Sequence, residues 1–430
     1  MTRSIALISE HASPLAVVGG IDAGGQNIYV AQIASELGRL GYSVDVFTRR
    51  DSDRLPEVVD YAPNVRVVNV PAGPPRYVRK EEMLPLMDEF GDYVCDFARR
   101  RGGYVLSHAN FFMSGLASLK LKEQLGTPFV VTFHALGRVR RLHQREADQF
   151  PLERLSIEEA LIQRSDGIIA ECPQDRADLA MLYGANDARI AVIPCGFDRG
   201  EFWPITKPFA RRALRLPANE PVLLNIGRLA PRKGLDNLIR GLAVLARRHG
   251  INAKLILVGG NSDLPDPALT PEIARLQAIA ADEGIARQVV FTGRRTREFL
   301  KLYYSAADIF ATTPWYEPFG ITPLEAMACG TPVLGADVGG IRFSVLDGVT
   351  GFLVPPNDPE ALAERAADLL RDPERMKEMG RNGIARVHAQ FTWPKVTRAV
   401  CAFYEQVLGV RMPRRAVLNR RNIRVAAVAA

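Results

Sequence analysis

Short apolar, β-branched runs alternate with amphipathic stretches along nearly the whole chain, and this alternation constrains the fold more than any other feature. It is typical of parallel α/β architecture, in which a helix follows each buried strand. The 430 residues contain two such series, which predict two doubly wound, Rossmann-like domains. Strands are expected near residues 5–9, 44–48, 65–70, 104–107, 129–133, 167–170 and 190–194, and then near 222–226, 254–258, 289–292, 309–312, 333–335 and 351–354.

The break between the two series falls in residues 198–217, which are rich in proline, arginine and phenylalanine. We therefore predict an N-terminal domain (1–205), a C-terminal domain (206–393), a C-terminal helix (394–410) and a basic tail (411–430). The predicted helix carries a single apolar stripe, so it should pack on the body of the protein. In paired domains of this kind, a ligand is expected in the cleft between them, at the carboxyl ends of the strands.

The composition favours an ordinary globular enzyme. Hydrophobic residues make up 47% and charged residues 24% of the chain, as in soluble domains. The five cysteines lack the close spacing of a disulfide or zinc framework, which favours a reducing compartment. The first residues lack the pattern of a signal peptide, and no run approaches 18 apolar residues. We expect a cytoplasmic protein.

The positive charge is concentrated at the C-terminal end. Residues 411–430 contain six arginines and no acid, so they account for all but one unit of the net charge of +7. Such a tail could make a weak peripheral contact with an anionic membrane, although a solvated end is the commoner arrangement. No stacking-aromatic or RNA-binding motif accompanies the arginines, so we expect no nucleic-acid partner.

The nonapeptide Glu-Pro-Phe-Gly-Ile-Thr-Pro-Leu-Glu in the second half predicts the start of a helix. Thr322 is a good N-cap residue, Pro323 suits the first helical position, and Glu325 lies three residues past the cap. The free N–H groups of this helix should therefore point back at Phe319 and Gly320. Such a helix end is a ready site for phosphate.

Two carboxylates flank this helix start, Glu317 ahead of the turn and Glu325 within the first helical turn. With a diphosphate on the helix amides, Glu325 could hold a ribose and Glu317 could hold a sugar. A ligand with a diphosphate between two polyols is a nucleoside-diphosphate sugar. The alternative is a capping box of Thr322 and Glu325, which would explain Glu325 without any ligand.

The stretch 317–340 resembles the donor-site signature of retaining glycosyltransferases of family 4, and the likeness continues through 347–359. The resemblance implies the GT-B fold, in which two Rossmann-like domains face each other across a cleft and the last helix, here 394–410, crosses back to the N-terminal domain. It further implies that the N-terminal domain binds the acceptor and the C-terminal domain binds the nucleotide sugar. It also implies a nucleotide-sugar donor, with UDP-glucose as the default. It assigns the donor to Phe319, Gly320, Ile321, Thr322 and Glu325, and it gives Glu317 a catalytic role at the sugar.

The segment Gly-Arg-Leu-Ala-Pro-Arg-Lys-Gly, directly after the strand predicted at 222–226, resembles the second donor motif of the family. The resemblance implies that Arg228 and Lys233 bind the donor diphosphate. Cations there would neutralise the leaving group as the glycosidic bond breaks. Arg294 is expected near the nucleobase, and Gly25 is assigned to the donor from the N-terminal side.

The glycines before the first predicted helix let the backbone approach a ligand closely. This segment resembles two subgroups of family 4, the sucrose-phosphate synthases and the glycosyltransferases that act on inositol phosphate. Both take a phosphorylated acceptor. The resemblance makes Lys80 and Arg154 the acceptor-phosphate ligands and places His134 beside the reacting centre. The other predicted acceptor contacts are Gly24, Gln26, Asn27 and Phe111, and Phe111 stands where the inositol-phosphate enzymes have a tyrosine.

These features together predict a retaining hexosyltransferase that moves a sugar from a UDP-sugar to a phosphorylated sugar or polyol. Glu317, His134, Arg228 and Lys233 are the predicted catalytic residues. We expect no cofactor and no metal, because the cations and the helix end can do the work of Mg²⁺. The alternatives are a transferase with a non-phosphorylated or lipid-linked acceptor, a GT-B sugar-nucleotide epimerase, and a non-catalytic nucleotide-sugar sensor.

Overall fold

The structure, a computed structural model, describes residues 4–16 and 24–410. Its first sheet has eight strands in this part of the chain, in the order β3-β4-β2-β1-β5-β6-β7-β8. The elements of this N-terminal domain are β1 (Ser4–Ile8), α1 (Gly25–Arg39), β2 (Ser43–Arg49), β3 (Val58–Ala62), β4 (Val65–Val70), α2 (Met87–Arg101), β5 (Leu106–Asn110), α3 (Phe112–Leu125), β6 (Phe129–Thr132), α4 (Gly137–Gln144), α5 (Glu153–Arg164), β7 (Gly167–Ala170), α6 (Pro173–Tyr183) and β8 (Ile190–Val192).

One strand of this sheet differs from the sequence prediction. β3 pairs antiparallel with β4 at the sheet edge, whereas the neighbouring pairs are parallel. The prediction missed β3 because its residues are only partly buried and include Asp60, so they lack the continuous apolar run of a central strand. The strand predicted at 104–107 is also displaced, and β5 instead begins at Leu106 and ends at Asn110.

The second sheet has six strands in the described chain, in the order β11-β10-β9-β12-β13-β14, and all its pairs are parallel. Its strands are almost wholly buried because helices cover both faces, except for the edge strand β11, which is partly exposed. The elements are α7 (Lys207–Ala213), β9 (Val222–Ile226), α8 (Leu235–His249), β10 (Lys254–Val258), α9 (Pro271–Asp282), β11 (Val289–Gly293), α10 (Arg297–Ala306), β12 (Ile309–Thr312), α11 (Ile321–Ala328), β13 (Val333–Ala336), α12 (Gly339–Ser344), β14 (Gly351–Val354), α13 (Pro359–Arg371) and α14 (Pro373–Gln390).

The last helix, α15 (Trp393–Leu408), returns to the N-terminal domain and packs against α1. Its apolar face is buried, and the Tyr404 hydroxyl lies 2.7 Å from Nδ1 of the buried His108. The helix α15, which follows the second sheet in sequence, therefore completes the packing of the N-terminal domain. Among the helices of residues 4–16 and 24–410, none is both long and apolar enough to cross a membrane. The predicted basic tail lies outside the described residues.

Candidate active site

Two adjoining cavities lie between the domains, where the carboxyl ends of strands from both sheets meet. The large cavity has a volume of about 630 Å³ and the small cavity about 170 Å³. Eight basic side chains and three carboxylates line the large cavity, so it suits an anionic ligand. The residues that line both cavities are Gly24, Gly25, Lys80, Arg140, Arg228, Arg232, Glu317, Gly320 and Ile321.

The N-termini of two helices, one from each domain, meet at these cavities. α1 begins after Gly24 and α11 begins after Gly320, and neither has an acidic residue in its first turn. A Cβ added at Gly24 would lie 3.9 Å from Nε of Arg228, and one added at Gly25 would lie 3.7 Å from Cδ1 of Ile321. A Cβ at either position would make only an ordinary contact across the cleft, so the two helix starts lie one side chain apart, and both helix dipoles point their positive ends at the cleft.

The start of α11 corrects one sequence prediction. Gly320 (φ 87°) is the N-cap residue, so the helix begins at Ile321 and Thr322 occupies its second position without capping it. A positive φ at this turn favours glycine, and this requirement outweighs the capping preference of threonine. The capping box of Thr322 and Glu325 is therefore wrong. Thr322 and Ile321 instead line the large cavity, and Phe319 lines the small one.

Glu317 and Lys233 form an ion pair at the cavity wall, Lys233 Nζ donating to Glu317 Oε2. Burial would raise the pKa of Glu317, but Lys233 and the neighbouring arginines outweigh burial and hold that pKa below its usual value. Burial lowers the pKa of Lys233 to about 8; Glu317 opposes this shift, and Arg232 and Arg228 add to it. Lys233, Arg232 and Arg228 would all stabilise an anion bound between them.

Glu325 is buried, with 1% of its surface exposed, and is held by two neighbours. Tyr304 donates its hydroxyl to Oε2 at 2.8 Å, and Nη1 of Arg297 lies 3.1 Å from Oε1. Arg297 also bonds Glu201, which belongs to the segment that joins the domains. Glu325 lines the large cavity, so a carboxylate oriented by Tyr304 and Arg297 faces that space.

Arg294 also lines the large cavity. Its side chain bonds Asp263 at 3.1 Å, and its backbone N–H donates to the carbonyl of Ser262 at 2.7 Å. The predicted nucleobase contact is not tested by this arrangement and stays a prediction.

The structure brings Lys80 to the cleft from the opposite domain, where it lines both cavities. Phe111 (φ 91°) and His134 (φ 57°) line the small cavity, and each follows the end of a strand. Non-glycine residues with positive φ are uncommon and cluster at functional sites, where the surrounding packing holds them. The small cavity is therefore built with strained backbone at two of its walls.

Gln26 and Asn27 line the small cavity mainly with side chains that order its loops. The Gln26 amide donates to the carbonyl of Asn110 at 3.0 Å, and the Asn27 amide donates to that of Ser13 at 3.0 Å. Oδ1 of Asn27 accepts the N–H of Gly24 at 2.9 Å. These bonds hold the start of α1 against the ends of the neighbouring strands.

Arg154 lies behind the cavity wall. Its side chain is 1% exposed, Nε donates to Glu158 at 2.7 Å, and Nη2 donates to the carbonyl of Ala135. The guanidinium lies 4.8 Å from the ring centroid of Phe111 and 4.6 Å from that of Phe150. Its Nη1 is buried and has no hydrogen-bond partner among the described residues. Its predicted role as a phosphate ligand stays a prediction.

Two cationic residues of this site, Arg140 and Arg232, were not predicted from the sequence. Arg140, on α4, lines both cavities and is anchored by Asp148 at 2.6 Å. Arg232 also lines both cavities, and its buried Nη1 has no hydrogen-bond partner in the part of the chain that the structure describes. The position of Arg232, one residue before the predicted diphosphate ligand Lys233, could have indicated a role in the site. The sequence around Arg140 gives no such indication, since basic residues on helices are usually solvated.

His11 was not among the predicted site residues, but it lines the small cavity as well. Its Nδ1 lies 2.6 Å from Oε1 of the buried Glu10, and its ring packs edge-on against Phe111. Among the described residues, no group of three or more histidine, cysteine or acidic side chains is placed to hold a metal ion.

Two Rossmann-like domains that face each other across a cation-rich cleft form the GT-B architecture of glycosyltransferases. Residues 206–386 match the family described as Glycosyl transferases group 1, and residues 23–201 match Glycosyltransferase Family 4. The D-inositol 3-phosphate glycosyltransferase 2 of Catenulispora acidiphila is 35% identical over 412 residues, which are 94% of this chain and 95% of that protein. The chain therefore belongs to glycosyltransferase family 4.

Solved structures agree with this assignment. Sucrose-phosphate synthase from Thermosynechococcus elongatus superposes with a TM-score of 0.87 at 36% identity, over 95% of this chain and 99% of that one. Anabaena HepE, solved with UDP and glucose, shares the fold with a TM-score of 0.71 at 21% identity, over 94% and 100% of the two chains. The predicted GT-B fold and the predicted glycosyltransferase activity are confirmed.

Proposed function

We propose that this enzyme moves a hexose, with retention at C1, from a UDP-sugar to a phosphorylated sugar or polyol, with UDP-glucose as the default donor. The observation that carries the proposal is the convergence of basic side chains from both domains on one cleft. Lys80 and Arg140 come from the N-terminal domain, and Arg228, Arg232 and Lys233 come from the C-terminal domain. Cations on both walls suit two separate anionic groups, a donor diphosphate and an acceptor phosphate.

The relatives support a phosphorylated acceptor. One set is named for D-inositol 3-phosphate, and the structural relative at 36% identity is named sucrose-phosphate synthase. Phe111 stands at the position where the inositol-phosphate enzymes carry a tyrosine, so the acceptor lacks one hydroxyl contact here. We therefore favour a sugar phosphate over an inositol phosphate.

On the donor side, the diphosphate would bind the N-terminus of α11 together with Arg228 and Lys233. Glu325, oriented by Tyr304 and Arg297, would accept hydrogen bonds from the ribose. Glu317 would orient the transferred sugar while Lys233 stays close to the charge that develops on the leaving phosphate. These groups are fixed by packing before the donor arrives, so little reorganisation is needed during the reaction.

The transfer itself is proposed as a same-face attack. The acceptor oxygen bonds to C1 on the side from which the diphosphate departs, and the acceptor proton passes to an oxygen of the leaving phosphate. The C1–O bond to UDP breaks, and UDP carries the electron pair away. Arg228, Arg232 and Lys233 would stabilise that charge without a metal, and no nucleophile from the protein is needed.

The test is release of UDP from UDP-glucose across a panel of sugar and polyol phosphates, each paired with its unphosphorylated counterpart. The wild-type enzyme should prefer the phosphorylated member of at least one pair. Lys80→Ala and Arg140→Ala should each raise the acceptor KM by roughly ten- to a hundredfold, because each removes a charge-assisted contact of about 1.5–3 kcal/mol.

Arg141→Ala is the matched control, because Arg141 lies beside Arg140 on α4 but does not line either cavity. It removes the same charge and should leave the acceptor preference unchanged. Better use of a free sugar or a lipid-linked acceptor than of any sugar phosphate would refute the acceptor assignment and leave the donor assignment intact. Epimerisation of UDP-glucose without any acceptor would refute the proposed transfer and the acceptor assignment, while the donor assignment would stand.

A further inference from the structure

The predicted catalytic residue His134 has both ring nitrogens engaged by the protein. Nδ1 lies 3.0 Å from Oε1 of Glu171, and Nε2 lies 3.1 Å from Oδ1 of Asn110. The imidazole is almost buried, with 8% of the side chain exposed, and Glu171 is 4% exposed. The protonation state of this ring therefore depends on what these two partners can accept or donate.

Asn110 presents an acceptor to His134, because its amide orientation is determined by other contacts. Nδ2 of Asn110 lies 3.3 Å from the carbonyl oxygens of both Ile8 and His108. A flipped amide would place Oδ1 against two carbonyl oxygens and leave them without a donor. Nε2 of His134 must therefore carry a hydrogen in order to bond Asn110.

Glu171 also presents an acceptor. The oxygen that faces His134, Oε1, accepts the thiol of Cys195 at 3.0 Å. A carboxylate buried this deeply needs a compensating charge, and His134 is the basic group in contact with it. Nδ1 of His134 then carries a hydrogen too. With two acceptors on two ring nitrogens, the arrangement fits an imidazolium ion paired with a carboxylate.

We propose that Glu171 and Asn110 are positioning residues that hold His134 as an imidazolium ion, with both of its N–H groups donated into the protein. His134 then supplies a fixed positive charge at the small cavity and cannot take the proton of the acceptor. This inference rests on the proposed function and deepens it, since the acceptor proton must leave by another route, which the leaving phosphate oxygen provides.

The other groups around the ring and around Glu171 are compatible with this state. Asp175 on α6 accepts the backbone N–H of Glu171 at 2.9 Å, and burial, with a further contribution from Glu171, raises the pKa of Asp175 to about 8. Tyr29 packs edge-on at 4.9 Å between ring centroids, and Glu317 lines the same small cavity as His134. His108, on the neighbouring strand, bonds two hydroxyls, Tyr404 at 2.7 Å and Thr132 at 2.8 Å. Burial, with a smaller contribution from His134, lowers the pKa of His108 to about 3, so His108 stays neutral.

The small cavity also has charged side chains of both signs in its lining. The negative charges of Glu171 and Glu317 offset part of the positive charge of four basic residues, Lys80, Arg140, Arg228 and Arg232.

The experiment is a long-range ¹H–¹⁵N spectrum of the full-length enzyme labelled with ¹⁵N-histidine, recorded from pH 6 to pH 9. His134→Asn assigns the signal. The expected result is an imidazolium pattern for His134 at pH 7, with both nitrogens protonated, whereas His108 shows a neutral tautomer and serves as the internal control. A neutral tautomer for His134 at pH 7 in the wild-type enzyme would overturn the proposal, because Glu171 would then hold the proton.

Glu171→Gln keeps the shape of the side chain and removes its charge. It should shift deprotonation of His134 at least one pH unit lower and reduce kcat by on the order of ten- to a hundredfold, with a smaller effect on the KM for UDP-glucose. Asp178→Asn, which removes a carboxylate on α6 that does not contact His134, should change neither. An unchanged His134 titration in Glu171→Gln contradicts the proposal. Absence of transfer to every acceptor would refute the proposed function, yet the wild-type spectrum would still decide the state of His134.

Discussion

Glu317 is the carboxylate from which the largest catalytic effect is expected. Its pairing with Lys233 keeps it ionised at neutral pH, and both groups lie where charge develops during transfer. Glu317→Gln should lower kcat by on the order of 10²-fold or more while UDP still binds, because only interactions that strengthen in the transition state change the chemical step. Steady-state kinetics and calorimetric UDP binding on the same preparation separate the two effects. Turnover close to the wild-type value would remove Glu317 from the mechanism.

Lys233 makes donor binding depend on pH. Burial lowers the pKa of its ammonium to about 8 in the free enzyme, so its charged fraction falls as the pH rises through 8. A bound diphosphate favours the charged form and so raises that pKa, which means that binding takes up a proton above pH 8. The affinity for UDP should therefore decrease between pH 7 and pH 9, by up to about tenfold for a single linked proton.

Lys233→Arg is the control for this titration, because a guanidinium stays charged throughout the range. The UDP affinity of this variant should be nearly flat from pH 7 to pH 9 when measured by isothermal calorimetry. An equally steep decrease in the variant would assign the pH dependence to another group.

Among the helices, α11 shows how a turn can override a capping preference. A Cβ on Gly320 would lie 3.2 Å from Cγ of Glu317 on a backbone with φ 87°. Gly320→Ala should therefore destabilise the fold by about 1–3 kcal/mol and weaken UDP binding, because Gly320 is the N-cap of α11 and a change there displaces the N–H groups proposed for the diphosphate. Thr322→Ala should change stability by less than about 0.5 kcal/mol, because Thr322 caps nothing. Denaturant unfolding of both variants checks this, and an equal loss in both would restore threonine as the cap.

The central elements of both sheets could be predicted from the sequence because buried parallel strands read as continuous apolar runs. β3 could not, since an antiparallel edge strand with one polar face has no such run. For the site, motif likeness indicated Glu317, Arg228 and Lys233, which the structure gathers at one cleft. Arg140 reaches that cleft only because α4 folds over it, a tertiary arrangement that local sequence does not encode.

At the scale of the whole molecule, the two domains are joined a second time by α15, which packs on the N-terminal domain. Phe197 lies directly before the segment that joins the domains and exchanges backbone hydrogen bonds with the chain around the start of α15. Its N–H donates to the carbonyl of Phe391 at 2.8 Å, and its carbonyl accepts the N–H of Trp393 at 3.4 Å. Trp393 opens that helix with 1% exposure, and its ring lies 5.9 Å from that of Tyr29 on α1. Tyr29 in turn packs on His134. The joint between the domains and the small cavity therefore share one aromatic cluster.

Trp393→Ala tests whether this cluster couples the domains. A Cβ added at Gly196 would lie 2.9 Å from Cδ2 of Trp393, so the indole already fills its site, and its loss should cost about 3–5 kcal/mol. We expect a lower Tm, separation of the unfolding transition into two steps, and reduced kcat through Tyr29. Trp203→Ala removes the same side chain from a site where it is 42% exposed, and it should cost less than about 1 kcal/mol. Calorimetric scans of both variants decide the matter: if Trp393→Ala unfolds in one step with no greater loss than Trp203→Ala, the two domains are held together elsewhere along the cleft.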